Sequence, residues 1–345
     1  MERMRKYRVW LTAALVINLV VLFGFVMNWY QTRKNEVDQR LTKVSADVAR
    51  RQYVMPVGMP VGLYIHTKGV MVLGTGKVTN LEDDVLEPAK TVFREGDYIL
   101  SINGTTLRNT SQAMSLIQSS EGKMLSFEVL RDGKKIILKM KPVETAADRY
   151  KIGVWLRDDT QGIGTITYID EDQNFAALGH GITDADTGIL MDISHGMVYQ
   201  SNILSIVKGS RGTPGEIVGT IDYQKKNRIG TITDNSNCGI FGTVERDYLA
   251  YDPEKAVPVA DPEEVTEGPV QIVCTMNGET NHYTAEIRKI DKNNKDYKNF
   301  VLQITDEQLL EETNGILQGM SGSPVIQNGK LVGAVTHVFV NEPTK

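Results

Sequence analysis

The chain has 345 residues and a formal net charge of −5 at pH 7, and this length predicts two folded domains with an N-terminal addition. Because no basic block occurs beyond the N-terminus, a nucleic-acid partner is not expected. The 31 glycines and many β-branched residues predict a mainly β protein, and Cys238 and Cys274 form no C-x-x-C motif for zinc or redox chemistry, although one disulfide stays open.

The N-terminal segment predicts a membrane anchor. Residues 9–30 are almost wholly apolar, with Trp10 and Trp29 near the two ends, and about 20 such residues cross the hydrocarbon core of a bilayer. The basic residues before this run predict a cytoplasmic N-terminus and place the rest of the chain across the membrane. Because the run is long and no small-x-small site follows closely, residues 1–30 are expected to be an uncleaved signal anchor rather than a signal peptide.

Residues 31–55 predict a stalk. They are strongly charged, and Val37, Leu41, Val44 and Val48 recur at helical spacing as a narrow apolar stripe. Such a stripe could pair with a partner helix, but for so short a stripe a solvated spacer helix is the preferred interpretation.

Residues 56–145 contain patterns that resemble a PDZ domain. Gly-Asp-x-Ile at 96–99 and Ile-Asn-Gly at 102–104 are typical of that family, and the Asn-Gly pair suits a tight turn. A helix is predicted at about residues 110–119, followed by a hairpin of two alternating strands at about 125–140.

The PDZ resemblance implies a peptide-binding loop and groove. In that family the end of a peptide adds as a strand, and backbone N–H groups of a loop hold its carboxylate. The predicted helix would form the other wall of the groove. An alternative is that the groove only holds other segments of this chain. The residues that match the binding loop are Val61, Gly62, Leu63 and Tyr64.

Residues 146–345 predict a catalytic domain built from short strands. Apolar runs punctuated by glycine, such as 162–168 and 229–232, indicate a pair of β-barrels. A similar run ends in Ala-Leu-Gly-His-Gly, where small neighbours would expose the imidazole of His180 at the end of a strand. A single histidine is more often structural, so the assignment of His180 as a general base depends on a nucleophile elsewhere in the chain.

The motif Gly-Met-Ser-Gly-Ser-Pro at residues 319–324 supplies a candidate nucleophile. A serine hydroxyl needs a base to take its proton, and the oxyanion that follows needs N–H donors already in place. The flanking glycines favour a tight turn in which the amides of Gly319 and Ser321 form an oxyanion hole. Alone, the motif could equally be a simple turn between strands; together with His180 it predicts a serine peptidase.

No metal or cofactor is expected. Asp184 and Asp186 begin a sequence like that of a calcium loop, but the glycine stands at position five and a histidine at position twelve, so a surface loop is predicted. His195 and His337 could line the cleft, although each taken alone is expected to be a packed, hydrogen-bonded ring.

The motifs in combination resemble the stage IV sporulation protein B family, the membrane-anchored PDZ serine peptidases of endospore-forming bacteria. The resemblance rests on His180 and its neighbours, the loop at 208–216, the Ser321 motif and Gly-Ala-Val-Thr-His-Val at 333–338. It implies a chymotrypsin-like double β-barrel and a triad in which His180 is the base, Ser321 the nucleophile and Asp306 the acid. Chain order alone would favour Asp234 as the acid, and both remain candidates.

The resemblance also implies a function. It implies an endopeptidase that cleaves itself near the stalk and then cleaves a membrane-bound regulator of an intramembrane protease, leading to activation of a late sigma factor. Its PDZ and peptidase domains would lie outside the cytoplasm, in the space between the forespore membranes, and the PDZ ligand could lie in the same chain. Two alternatives are a general extracytoplasmic PDZ protease, which usually has the opposite domain order, and a catalytically inactive PDZ adaptor.

Members of the family continue beyond the stretch Val-Phe-Val-Asn-Glu-Pro-Thr, whereas this sequence stops at Lys345. The resemblance therefore implies that the second barrel is incomplete at its C-terminal end. Missing strands would leave one wall of the substrate site open.

Overall fold

The fold is seen in a computed structural model that describes Met27, Gln31 and residues 52–276, 278–339 and 341–344. The chain divides into two compact units, Met1–Gln52 and Tyr53–Lys345. The predicted signal anchor and nearly all of the predicted stalk lie outside the described residues. Within the described residues, no helix has the length and apolar character needed to cross a membrane.

The second unit is mainly β, as predicted. Its helices are α1 (Thr110–Gln118) and α2 (Glu307–Thr313). Its strands are β1 (Tyr53–Thr75), β2 (Val78–Thr79), β3 (Val85–Leu86), β4 (Tyr98–Ile102), β5 (Thr105–Thr106), β6 (Leu125–Arg131), β7 (Lys134–Met140), β8 (Val143–Ala146), β9 (Arg149–Lys151), β10 (Val154–Ile169), β11 (Asn174–Ala177), β12 (Ile193–Val207), β13 (Gly215–Ile221), β14 (Arg228–Ser236), β15 (Gly239–Val244), β16 (Val257–Pro258), β17 (Gly268–Met276), β18 (Glu279–Ile290), β19 (Phe300–Ile304), β20 (Leu317–Gln318), β21 (Pro324–Gln327) and β22 (Lys330–Ala334).

Six of these strands close into a barrel. The order is β1, β10, β11, β15, β14 and β12, and β12 pairs back onto β1. Every pairing around the ring is antiparallel. Apolar residues alternate along the strands, as Val61, Leu63 and Ile65 do in β1, so that one face of each strand fills the interior.

The prediction of a peptide-binding loop at residues 61–64 is wrong. The structure places these residues in the middle of β1, where Val61 is opposite Gly164 of β10 on one side and Gln200 of β12 on the other. Backbone groups that are paired on both sides are not available to hold a peptide carboxylate. The residues concerned are Val61, Gly62, Leu63 and Tyr64.

A smaller sheet and α1 form a second core beside the barrel. Strand β1 continues past Gly69 and pairs with β4, which is followed by β6 and β7. The predicted helix is confirmed as α1, with the Asn109 side chain accepting a hydrogen bond of 2.8 Å from Gln112 N. The predicted hairpin is confirmed as β6 and β7, joined by Asp132 and Gly133 in left-handed conformations.

The boundary between these two parts differs from the predicted division into 56–145 and 146–345. The first half of β1 fills the barrel, whereas Val70 and Val72 belong to the core around α1. Val154 and Leu156, from the start of β10, also pack against that second core. Both parts therefore share β1 and β10, because these two strands run through both cores without a break.

A five-stranded sheet in the order β19, β18, β17, β21 and β22 forms the C-terminal part. Its core includes Ile272, Ile287 and Val325, with Leu309 from α2 and Leu317 from β20. Strand β20 pairs in parallel with β13, which is a neighbour of β12. These connections fix both ends of the short segment between β20 and β21, which contains Ser321.

Candidate active site

The segment that carries Ser321 is a tight turn held on two sides. The carbonyl of Ser321 accepts a hydrogen bond of 3.0 Å from Thr165 N in β10, and Gly322 N donates one of 2.7 Å to Val335 O. Gly322 has a φ of +101°, and a Cβ atom there would lie 2.1 Å from Thr165 O. Only glycine fits this position, because any side chain would overlap the barrel backbone.

The Ser321 side chain is half-buried. Its Oγ donates a hydrogen bond of 2.8 Å to Thr336 O. The hydroxyl of Thr165 donates a bond of 2.7 Å to Gly319 O and so fixes the peptide that precedes the nucleophile. Within the described chain, Ser321 N–H has no hydrogen-bond acceptor. This donor is therefore available to stabilise an oxyanion. Gly319 and Ser321 are thus in one turn, as predicted, and their role as an oxyanion hole stays a prediction.

His180 follows β11 in a strained segment. Leu178 and Gly179 both have a φ of +68°, a conformation that is uncommon for a leucine and often marks a functional site. The Nδ1 atom of His180 lies 2.9 Å from Gly181 O. A carbonyl oxygen can only accept, so Nδ1 carries the proton and Nε2 keeps the lone pair that a general base needs.

Asn235 holds the segment that follows His180. Its Nδ2 donates hydrogen bonds of 2.9 Å to Ile182 O and Met191 O, and its Oδ1 accepts one of 2.8 Å from Ile182 N. Sequence reasoning considered the adjacent Asp234 and missed this residue. The available clue was an asparagine within a predicted strand, because that residue type is depleted in strands unless its side chain has specific partners.

His180 lies at a cavity of about 390 Å³. His180, Thr336 and His337 line it, and Thr336 is the residue to which the Ser321 hydroxyl is bonded. The His180 and His337 rings are 5.0 Å apart between centroids. Burial, with smaller effects from the charge on Lys298 and from His180, lowers the pKa of His337, so a neutral imidazole is favoured beside the candidate base.

The carboxylates that could orient His180 differ in position and in hydrogen bonding. Asp306 is the N-cap of α2, and its carboxylate accepts hydrogen bonds from Leu309 N at 3.0 Å and Thr284 N at 3.1 Å. Asp234 is exposed on β14. A third carboxylate, Asp296, lines the His180 cavity and was missed by sequence reasoning. Among the described residues, no carboxylate is hydrogen-bonded to His180.

The remaining polar candidates have structural partners. Asp184 and Asp186 both bind the guanidinium of Arg157, and Asp184 also accepts a bond of 2.9 Å from Thr187 N. His195 is stacked on His66, on β12 and β1. Among the described residues, no group of three His, Cys, Asp or Glu side chains could hold a metal ion.

Both cysteines are free thiols, so the disulfide that the sequence left open does not form. Cys238 is exposed, whereas Cys274 is buried. Burial raises the pKa of the Cys274 thiol to about 11, which makes it unreactive at neutral pH.

The chain also matches a known protein family. The family model described as SpoIVB peptidase S55 matches residues 148–345. The match covers more than half of the chain and includes both His180 and the Ser321 turn. A peptidase of this kind acts on proteins or peptides, and the family connects the chain to sporulation. The chain therefore belongs to the SpoIVB peptidase S55 family of serine peptidases.

Proposed function

We propose that this protein is an endopeptidase in which Ser321 is the nucleophile and His180 is the general base. The observation that carries the proposal is that the Ser321 hydroxyl is bonded to Thr336 O and that Thr336 lines the same cavity as His180. The Ser321 turn also packs against the segment that leads to His180, because a Cβ atom on Gly322 would lie 2.6 Å from Leu178 N. The reaction would require the Ser321 hydroxyl to leave Thr336 O, by rotation about the Cα–Cβ bond, and to reach the imidazole.

The reaction follows from these groups. Ser321 Oγ forms a bond to the carbonyl carbon of the scissile peptide, and its proton passes to Nε2 of His180. The amides of Gly319 and Ser321 would stabilise the resulting oxyanion. As the carbon–nitrogen bond breaks, His180 returns the proton to the leaving amine. Water then attacks the ester with help from the same imidazole, which releases the acid product and restores Ser321.

The third member of the triad is proposed from the resemblance, which favours Asp306. Asp234 stays an alternative, and the position of Asp296 in the His180 cavity adds another. In the described conformation the Gly181 carbonyl holds the tautomer that an acid would otherwise set. Asparagine variants at the three positions distinguish them, because loss of the orienting acid lowers turnover about 10⁴-fold in the serine protease example of that substitution.

Labelling with a fluorophosphonate probe tests the nucleophile. We expect the wild type to be labelled and Ser321→Ala to be silent. Ser323→Ala is the matched control: this serine is two residues away and fully buried, so the variant should be labelled like the wild type. A folded wild type that does not react with the probe would remove the peptidase function and leave an inactive adaptor as the alternative.

We further propose that the part around α1 is a PDZ domain and that the barrel with the five-stranded sheet is a chymotrypsin-like double barrel. The strands β4, β6 and β7 with α1 support the first statement, and the closed six-stranded ring supports the second. Because residues 61–64 belong to a barrel strand that is paired on both sides, a PDZ ligand would have to bind at the edge of another strand.

The biological setting is proposed from the family resemblance. The protein would be held by the N-terminal anchor with its catalytic part outside the cytoplasm, cleave itself near the stalk and then cleave a membrane-bound regulator of an intramembrane protease. Comparing self-cleavage of the full chain in wild type and Ser321→Ala tests this. If both chains are processed alike, another protease makes the cut. The alternative of a general extracytoplasmic protease predicts a different result, namely that unrelated unfolded proteins are cleaved equally well.

A further inference from the structure

A groove of about 600 Å³ adjoins the His180 cavity. Gly179, Tyr297, Lys298 and Thr336 line both, so the two spaces are adjacent. The lining of the groove is largely apolar and comes from the barrel, the β18–β19 loop and β22. Its apolar members include Phe241, Val259, Val265, Ile290, Phe300 and Val332.

One wall of the groove is the outer edge of β22, where Leu331 O accepts a hydrogen bond of 2.9 Å from Ala260 N. Strand β22 is the last strand of its sheet. Val335 N donates to Ser323 O and Val335 O accepts from Gly322 N, so the backbone of Val335 faces the nucleophile turn. Because successive residues of a strand direct their backbone groups to opposite sides, the N–H and C=O of Ala334 face away from the turn. Ala334 lines the groove, and an extended peptide could pair with it there.

The loop between β18 and β19 brings cations to the junction of the groove and the cavity. Asp291 N donates a bond of 2.7 Å to Asn299 O, which closes the loop at its base. Lys292 is paired with Glu263 at 2.6 Å. Lys298 has no acidic partner among the described residues and is close enough to lower the pKa of His337. The remaining charges of the loop at the cavity, Lys295 and Asp296, offset each other.

We propose that Lys298 is a specificity-determining residue, which selects an acidic side chain next to the scissile bond of a polypeptide whose neighbouring apolar side chain fills the groove. The occupant is the substrate chain because the groove shares four lining residues with the His180 cavity, among them Thr336, to which the Ser321 hydroxyl is bonded. This inference rests on the proposed peptidase function. It adds to that function the class of substrate sequence that the site accepts.

Cleavage of a random peptide mixture, with mass spectrometry of the products, measures the preference. For the wild type we expect Asp or Glu to be enriched at one position beside the cleaved bond. Lys298→Glu should reduce that enrichment about fivefold and favour Lys or Arg, since exposed or partly buried ion pairs are worth a few-fold in binding. Lys226→Glu makes the same change of charge at an exposed residue that lines neither space, and it should leave the preference unchanged.

Fluorophosphonate labelling separates failure of this inference from failure of the peptidase function. Labelling needs the Ser321 chemistry but no peptide recognition, so labelling of the wild type reports on the nucleophile independently of the role of Lys298. If the variant labels and cleaves with unchanged preference, Lys298 does not select the substrate and the inference is overturned. If the wild type neither labels nor cleaves, the proposed function is overturned, and this inference with it.

The exposed Cys238 lines the apolar groove. Alkylation of its thiol therefore tests whether the substrate occupies that groove. We expect alkylation with a bulky maleimide to lower peptide cleavage at least fivefold while fluorophosphonate labelling continues. Cys238→Ser should cleave at the same rate with and without maleimide treatment, because it has no thiol at this position. Unchanged cleavage by the alkylated wild type would show that no substrate occupies the groove and would overturn this part of the inference.

Discussion

At the scale of single residues, the His180 site depends on groups that do not react. Gly181 O sets the tautomer of His180, and Asn235 makes two hydrogen bonds to Ile182 and one to Met191. One backbone carbonyl therefore fixes the imidazole, and one amide side chain fixes the segment that follows it. This arrangement explains how the base keeps its lone pair free although no carboxylate in the described chain is bonded to it.

Asn235→Ala should lower kcat about 100-fold, because a shift of about 1 Å in a catalytic group has effects of that size. The change removes the Asn235 partner of Ile182 N and Met191 O, while Ile182 O keeps its bond from Met191 N, and it frees the His180 segment to move. Turnover of a peptide substrate is the measurement. Asn202→Ala, at an exposed position of β12, is the control and should keep wild-type turnover. Equal turnover in both variants would contradict the positioning role of Asn235.

A pair of variants at Asp306 separates catalysis from helix capping. Asp306→Asn keeps an oxygen that can accept from Leu309 N and loses the acceptor for Thr284 N, so it should lose less stability than Asp306→Ala, which loses the cap as well, worth about 1 kcal/mol. If Asp306 orients His180, both variants lose activity. If it acts only as the N-cap of α2, Asp306→Asn stays active. Thermal unfolding and peptide turnover, measured on the same samples, give the answer.

At the scale of elements, the part around α1 depends on one buried ion pair. The carboxylate of Asp97, only 1% exposed, accepts two hydrogen bonds of 2.7 Å from Arg131 on β6 and one of 2.9 Å from Arg94 N. Asp97 lies just before β4. The pair therefore ties the turn before β4 to the neighbouring strand.

Asp97→Ala should destabilise this part by about 3–5 kcal/mol, because it leaves a largely buried guanidinium without its counter-charge. Hydrogen exchange of β4 and β6 amides is the measurement, since it reports local unfolding separately from the barrel. Adding Arg131→Met to the same chain should recover part of the loss. A double variant less stable than Asp97→Ala would contradict this account.

The elements also show what sequence patterns could and could not predict. Helix α1, the β6–β7 hairpin and the turn at Ser321 follow from spacing and glycine positions within a few residues, and they were predicted. The course of β1 was not, because alternation indicates a strand without telling which distant strands it joins. Asn235 was missed for the same reason: its partners Ile182 and Met191 are remote in sequence.

At the scale of the whole molecule, two histidines make the fold sensitive to acid. Burial, and then the neighbouring His66, lower the pKa of His195, and burial also lowers that of His337. The unfolded chain therefore takes up protons first as the pH falls below about 6.5. The stabilisation is complete above this pH and is lost as the pH falls through the lowered pKa values of the folded state.

The midpoint of thermal unfolding should therefore fall between pH 7.5 and pH 5. In His195→Gln the fall should be smaller, because one of the two groups no longer titrates. His282→Gln, at an exposed position of β18, is the control and should follow the wild-type curve. A His195→Gln curve that coincides with the wild type would show that His195 contributes nothing to the acid sensitivity.

The closed ring of six strands has a consequence for any attempt to dissect the protein. A fragment that begins at residue 146 would lack β1 and would open the ring between β10 and β12. Both newly exposed strands would then have unsatisfied backbone groups, which favour aggregation. A synthetic peptide that covers residues 53–66 could pair with β10 and β12 and so close the barrel of such a fragment again.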